Sequence, residues 1–235
     1  MPVDLAHTPP LLDLVTASTR KALLACATTI TATRRSVIFT TGDESDGLYE
    51  VVSGKVKLSR RPGETPDHPA NRHESLLRLA SAGQIFGELA VVDGGPRNAT
   101  AVAVTTAVVR RHPQADIERL VNRHADLGAA CLTHITRRLR LTLERTTDFS
   151  VLDGTARVVK TILVLGQRFG ERDGSRIVIR HDLTQAELGA FAGLSRETVS
   201  KVLADLSGQG LLEVGTGRIA VADEDALQRS ISPHA

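Results

Sequence analysis

The order of apolar and polar positions changes period along the chain and divides it into three regions. From about Ile38 to Val109, apolar residues come in short runs separated by glycine turns. Val37-Ile38-Phe39 leads into Thr41-Gly42-Asp43, Leu48 through Val52 meets Ser53-Gly54, and Lys55-Val56-Lys57-Leu58 alternates strictly. A period of two suits strands with one buried face, so this region predicts an antiparallel barrel or sandwich. Arg60 to Ser75 is rich in Pro, Gly and charge and predicts an exposed hairpin loop. Farther on, Ile117, Val121, Leu127, Cys131, Ile135, Leu139 and Thr142 recur at helical spacing. They predict one helix of roughly 30 residues or more. A single apolar stripe of that length needs a surface to lie against, and two-fold pairing with a second copy is the economical solution.

Thr146 to Ser150 interrupts the charged face of that helix, and Asp153 offers an N-cap for a helix from Gly154 to Gln167. A hinge and domain boundary are expected here. The last third predicts helices broken by glycine and then a small hairpin. Its strands are Leu211 to Val214 and Arg218 to Val221, joined by Gly215-Thr216-Gly217. Within it, Thr184-Gln185-Ala186-Glu187 has the form of a capping box. Gly193 supplies a tight turn, and Ser195 can cap a second helix. Val199, Val202, Leu203 and Leu206 mark that helix's inner face, while Arg196, Glu197, Ser200 and Lys201 mark the opposite one. Two short helices around a glycine turn form a helix-turn-helix. The polar end of the second can enter a major groove, where Arg or Lys donates to guanine and Glu accepts from cytosine. Arg218 on the hairpin would meet phosphate.

Gly193-Leu194-Ser195-Arg196-Glu197-Thr198-Val199-Ser200-Lys201 resembles the recognition helix of the CRP/FNR family of bacterial transcription regulators. Phe86-Gly87-Glu88-Leu89-Ala90, followed by Asp93-Gly94-Gly95-Pro96-Arg97-Asn98-Ala99-Thr100, resembles the phosphate-binding cassette of cyclic-nucleotide-binding domains. The resemblance extends from about Leu11 to Leu227. It implies an α+β protein with an N-terminal cyclic-nucleotide-binding β-roll (1–112), a long dimerisation helix and hinge (113–150), and a C-terminal winged helix-turn-helix (151–235). In the cassette, Arg97 would clamp a cyclic phosphate with two charge-assisted bonds, and Asn98 could add its amide. Glu88 would accept from the ribose 2′-hydroxyl, and Gly87 and Leu89 would lie in the turn whose N–H groups face the anion. Thr142 on the long helix matches a residue that meets adenine; Leu143 occupies the position of a second such residue and cannot accept a hydrogen bond. On the DNA side the resemblance implies base contacts from Arg196, Glu197 and Lys201, with Ser200, Thr184, Ser195 and Arg218 nearby. The implied target is an inverted repeat with half-sites resembling TGTGA. Implied partners are double-stranded DNA, a second copy of the chain and RNA polymerase. The implied effector is cAMP or another cyclic nucleotide, with no cofactor required.

Composition narrows the rest. The 235 residues include 41% hydrophobic and only 3% aromatic residues, so aliphatic side chains must fill the core. A net charge of +2 means that any DNA contact depends on local placement of Arg and Lys. No apolar run nears the ~20 residues needed to cross a bilayer, and Met1 to Pro10 lacks a secretory pattern, so a cytoplasmic protein without membrane attachment is expected. Two Cys residues fall short of the about four thiolates of an iron–sulfur cluster. Cys26 and Cys131 are expected as small buried hydrophobes. His124 and His134 are expected to pack, partly exposed, on the long helix. Arg137, Arg138 and Arg140 are expected on its solvated face. No metal cluster, Ser/His/Asp set or paired carboxylate suggests catalysis, and no enzyme is expected.

Overall fold

The computed structural model describes residues 9–61 and 74–231. The strand-like region forms eight strands: β1 (Thr28–Ala32), β2 (Val37–Phe39), β3 (Gly47–Ser53), β4 (Lys55–Arg60), β5 (Ser75–Ser81), β6 (Ile85–Phe86), β7 (Thr100–Ala103) and β8 (Ala107–Pro113). They make two antiparallel sheets, in the orders β1-β8-β3-β6 and β2-β7-β4-β5. The alternation in β4 does what it predicts, with Val56 and Leu58 buried in the roll. The loop expected between Arg60 and Ser75 lies, from 62 to 73, outside the described residues. Inside the roll, Phe39, Tyr49 and Phe86 form one ring cluster, with centroids 5.3 to 5.8 Å apart. Most of the remaining lining is small, with Ala32, Ala80, Ala99, Ala101, Ala103 and Ala107 all buried there.

Outside the roll, α1 (Ala17–Cys26), the short α2 (Glu88–Asp93), α3 (Gln114–Arg123) and the start of α4 (Ala125–Val151) pack through Leu23, Val91, Ile117, Leu120 and Leu127. The single long helix expected from Ile117 to Phe149 is two helices. At His124 the backbone turns extended (φ −128°, ψ 91°), and the chain restarts as α4. Local chemistry holds the break. Asp126 accepts from the Thr16 N–H at 2.7 Å and from Thr19 Oγ1 at 2.9 Å, which ties the new helix start to the N-cap of α1. Thr19 Oγ1 also lies 3.0 Å from His124 Nδ1. α4 then runs without interruption through Thr146–Ser150 to Val151.

The C-terminal region holds α5 (Gly154–Phe169), β9 (Gly170–Asp173), β10 (Arg176–Arg180), α6 (Gln185–Ala192), α7 (Arg196–Gly208), β11 (Leu212–Gly215), β12 (Arg218–Val221) and α8 (Glu224–Arg229). Asp153 caps α5 as expected, accepting from the Ala156 N–H at 2.8 Å. The predicted hairpin is β11–β12, but it belongs to a four-stranded sheet, β11-β12-β10-β9. The β9–β10 hairpin, absent from the sequence reading, turns on Gly174 at φ +63°. The chain divides into two compact units, Thr8–Arg140 and Leu141–Ala235, with the division inside α4. Among the described residues no helix is long and apolar enough to cross a membrane.

Candidate functional site

Each unit carries one site. In the first, β6 passes into α2 through Gly87, whose φ of 77° suits glycine. A Cβ at this position would lie 2.5 Å from Arg97 Nη1, so the missing side chain lets the guanidinium pass beneath the turn. Arg97 is buried. It donates to the Gly87 carbonyl at 2.8 Å, to Asp46 Oδ1 at 2.5 Å and to the Gly47 carbonyl at 2.7 Å. It also stacks 4.3 Å from the centre of the Phe39 ring. The side chain expected to reach for a phosphate with both arms is thus braced by the protein, and its Nε has no partner. Asp46, which the sequence reading missed, accepts from Arg97, Arg111 and Tyr49. Burial pushes its carboxyl up, but these donors outweigh that and hold it below the ordinary value.

Glu88 is buried next to this turn. One oxygen pairs with Arg138 Nη1 of α4, while Oε2 has no partner. Arg138 is therefore a member of the site, against the expectation of a solvated face; its reach from α4 to the cassette is invisible in the linear sequence. His134, expected to be partly exposed, is buried, because it falls on the same buried stripe of α4 as Leu127 and Ala130. Leu89 is half-buried and Asn98 exposed. Thr142 is exposed on the part of α4 that belongs to the second unit. Cys26 and Cys131 are half-buried free thiols packed against the helical cluster.

In the second unit the helix-turn-helix is assembled by its caps. Thr184 Oγ1 accepts from the Glu187 N–H at 3.2 Å, and Glu187 Oε2 accepts in return from the Thr184 N–H at 2.8 Å. Gly193 ends α6 in the left-handed region, and Ser195 Oγ accepts from the Thr198 N–H at 3.2 Å to start α7. The faces of α7 sort as predicted. Val199, Val202, Leu203 and Leu206 are buried, while Arg196, Glu197, Ser200 and Lys201 are exposed together. Arg218 is exposed at the start of β12, its stem against Gly215. Sequence reasoning missed Gly189, where a Cβ would sit 2.7 Å from the Leu194 carbonyl, so that α6 could not approach the turn. It also missed a brace from the end of α4. Arg145 donates to the Phe191 carbonyl at 2.8 Å and lies over that ring, and Asp148 accepts from Lys160 at 2.5 Å. Phe149 covers Gly193. Among the described residues no group of three or more His, Cys, Asp or Glu side chains could hold a metal.

Residues 30–124 match the cyclic nucleotide-binding domain family, and residues 156–230 match the Crp-like helix-turn-helix domain. The chain is similar to the CRP-like cAMP-activated global transcriptional regulator of Mycobacterium tuberculosis, at 34% identity over 83% of this chain and 84% of that one. Its fold is similar to FixK2 from Bradyrhizobium japonicum, with a TM-score of 0.75, 19% identity, and coverage of 89% of this chain and 99% of that one. A second fold relative is the c-di-GMP responsive global regulator CLP of Xanthomonas campestris, with a TM-score of 0.74, 22% identity, and coverage of 88% and 99%. An α+β chain with a nucleotide-type cassette in its roll and a capped helix-turn-helix behind it thus belongs to the CRP/FNR family of DNA-binding transcription regulators.

Proposed function

We propose that this regulator works as a homodimer whose grip on DNA is controlled by a cyclic nucleotide held in the roll. The observation that carries this reading is the pair of buried, unpartnered atoms at the Gly87 turn, Glu88 Oε2 and Arg97 Nε. A free carboxylate oxygen and a free guanidinium N–H suit a ligand that presents both a hydroxyl and an anionic oxygen, as a ribose 3′,5′-cyclic phosphate does. Buried polar atoms otherwise find partners within the protein. cAMP is the first candidate, because the mycobacterial relative is named as cAMP-activated. One observation favours a second reading, with the same fold and DNA binding but another ligand or none. Leu143, adjacent to Thr142, offers no acceptor to an adenine amino group.

The dimer is supported by Leu132, Leu139 and Leu143, which stand exposed along α4 at helical spacing. In the proposed complex Arg196, Glu197, Ser200 and Lys201 read base edges in the major groove. Thr184, Ser195 and Arg218 lie against the phosphates. The target is an inverted repeat with half-sites resembling TGTGA, one per subunit, with RNA polymerase as a further partner in the cytoplasm. The protein acts by binding and catalyses no reaction. The effector acts by population shift: it must bind the DNA-competent arrangement better than the other.

The test is binding to a labelled TGTGA/TCACA palindrome at fixed salt, with and without saturating cAMP. Tightening of tenfold or more, ~1.4 kcal/mol, is expected. Coincident curves would leave a DNA reader and overturn cAMP control.

A further inference from the structure

Four side chains carrying a full charge at neutral pH are buried among the described residues: Glu50, Arg78, Glu88 and Arg97. Three have an opposite charge beside them. Glu50 pairs with Arg110 at 3.1 Å, Glu88 with Arg138, and Arg97 with Asp46 at 2.5 Å. Arg78, on β5, pairs with no acidic side chain among the described residues, and its Nη1 makes no hydrogen bond. Burial alone pulls this guanidinium down to about 10, which still leaves it charged at neutral pH. An isolated buried charge is costly to a fold, and proteins keep one only where something balances it.

Its position shows where that balance comes from. Arg78 lies opposite Leu58 in the β4–β5 register, on the strand face shared with Ala80, and both neighbours belong to the interior cluster of the roll. The same cluster contains Phe39 and Tyr49, over which Arg97 stacks. His134 of α4 is buried within the electrostatic reach of this charge, with neither ring nitrogen partnered. Burial first, then the charges of Arg78 and Arg137, hold His134 down to about 3, so it remains a neutral donor and acceptor. Among the described residues, the buried unpartnered side-chain atoms include five from this group: Arg78 Nη1, His134 Nδ1 and Nε2, Glu88 Oε2 and Arg97 Nε. Arg111 also pairs with Asp46, at 3.3 Å, so the guanidiniums of this cluster (Arg78, Arg97, Arg111 and Arg138) outnumber its two carboxylates (Asp46 and Glu88) and leave it positive.

We propose that Arg78 is a further effector-binding residue, which with His134 takes a hydrogen-bond acceptor of the ligand and offsets its negative charge. The inference rests on the cyclic-nucleotide reading and sharpens it. The ligand is an anionic cyclic nucleotide, because the guanidiniums of the cluster outnumber its carboxylates. The acceptor that meets Arg78 is either a phosphate oxygen or the acceptor edge of a purine such as guanine.

The experiment compares the full-length protein with Arg78→Met by calorimetric titration with cAMP and cGMP, and by thermal unfolding with and without pyrophosphate. Loss of one charge-assisted bond should weaken mononucleotide binding about 10- to 100-fold in Arg78→Met. Equal loss for cAMP and cGMP identifies the phosphate as the acceptor, and loss confined to cGMP identifies the base. Without ligand, Arg78→Met should melt higher by at least ~2 °C, because the unbalanced charge is gone. Unchanged mononucleotide affinity would overturn the proposal, and so would a lower melting point without ligand, which would make Arg78 structural. If the wild type binds no cyclic nucleotide, that reading falls by itself. Arg78 is then decided by pyrophosphate, which must stabilise the wild type and not Arg78→Met for the anion site to survive.

Discussion

Gly87 and Arg97 act as one unit, since the glycine's missing side chain is the space the guanidinium occupies. Gly87→Ala adds a Cβ at a φ of 77° and 2.5 Å from Nη1. It should destabilise the protein by about 1–3 kcal/mol in urea unfolding and weaken effector binding, because Arg97 must shift. On the DNA side, Arg196 is exposed at the start of α7 with no structural duty, so Arg196→Ala should leave the melting temperature unchanged. It should cost ~1–3 kcal/mol of specific DNA affinity and relax one base position in a substitution series across the half-site. Uniform weakening across all sequences would instead place Arg196 on phosphate. His134 predicts a pH effect whose direction follows from its surroundings. Its folded value of about 3 lies below the ordinary 6.5. Between those values the unfolded chain holds a proton that the folded chain does not, so stability falls as pH drops through this window. Melting curves from pH 7.5 to 5 should show a steeper loss for the wild type than for His134→Leu; parallel curves would mean that the folded ring also takes up the proton.

Among the elements, α4 carries the most untested weight. Leu132, Leu139 and Leu143 expose an apolar stripe along it, of the kind that marks an interface. Leu139→Glu should convert a dimer into monomers in sedimentation at micromolar concentration. Affinity for the palindrome should fall with it, because each half-site then binds alone. A dimer that survives this change would move the interface elsewhere. The capped elements are also those the sequence describes most fully: Thr184 with Glu187, Ser195 and Asp153 sit at the helix starts their residue types predict. Capping is local chemistry, readable within four residues. The break at His124 was less legible because its cause, the bond from Thr16 to Asp126, spans 110 positions. One trace was visible, since the apolar spacing from Val121 to Leu127 is six, off the helical repeat. The β9–β10 hairpin was readable in principle from Asp173-Gly174 followed by Ile177-Val178-Ile179. In the site, Gly87, Glu88 and Arg97 were legible as a local motif. Asp46 and Arg138, 51 and 50 positions from their partners, depend on the closed roll and on which face α4 presents.

For the whole molecule, the question is how an event at the cassette reaches the recognition helix. α4 is the element that belongs to both units: Arg138 holds Glu88 before the division at Arg140, and Arg145 and Asp148 hold α6 and α5 after it. Coupling through a helix requires that the helix be stiff where no other element supports it. Arg140 and Glu144 are exposed near that division, so replacing both with glycine removes no buried packing. It weakens the helix by roughly 1 kcal/mol per site relative to alanine. The Arg140→Gly/Glu144→Gly protein should bind cyclic nucleotide and DNA separately with near-normal affinity. The factor by which nucleotide tightens DNA binding should shrink, while an Arg140→Ala/Glu144→Ala control keeps it. Coupling is reciprocal, so the factor by which DNA tightens nucleotide binding must shrink equally. If the glycine pair keeps full coupling in both directions, the signal bypasses this stretch of α4. If coupling is lost along with nucleotide affinity itself, the helix supports the pocket instead of transmitting from it.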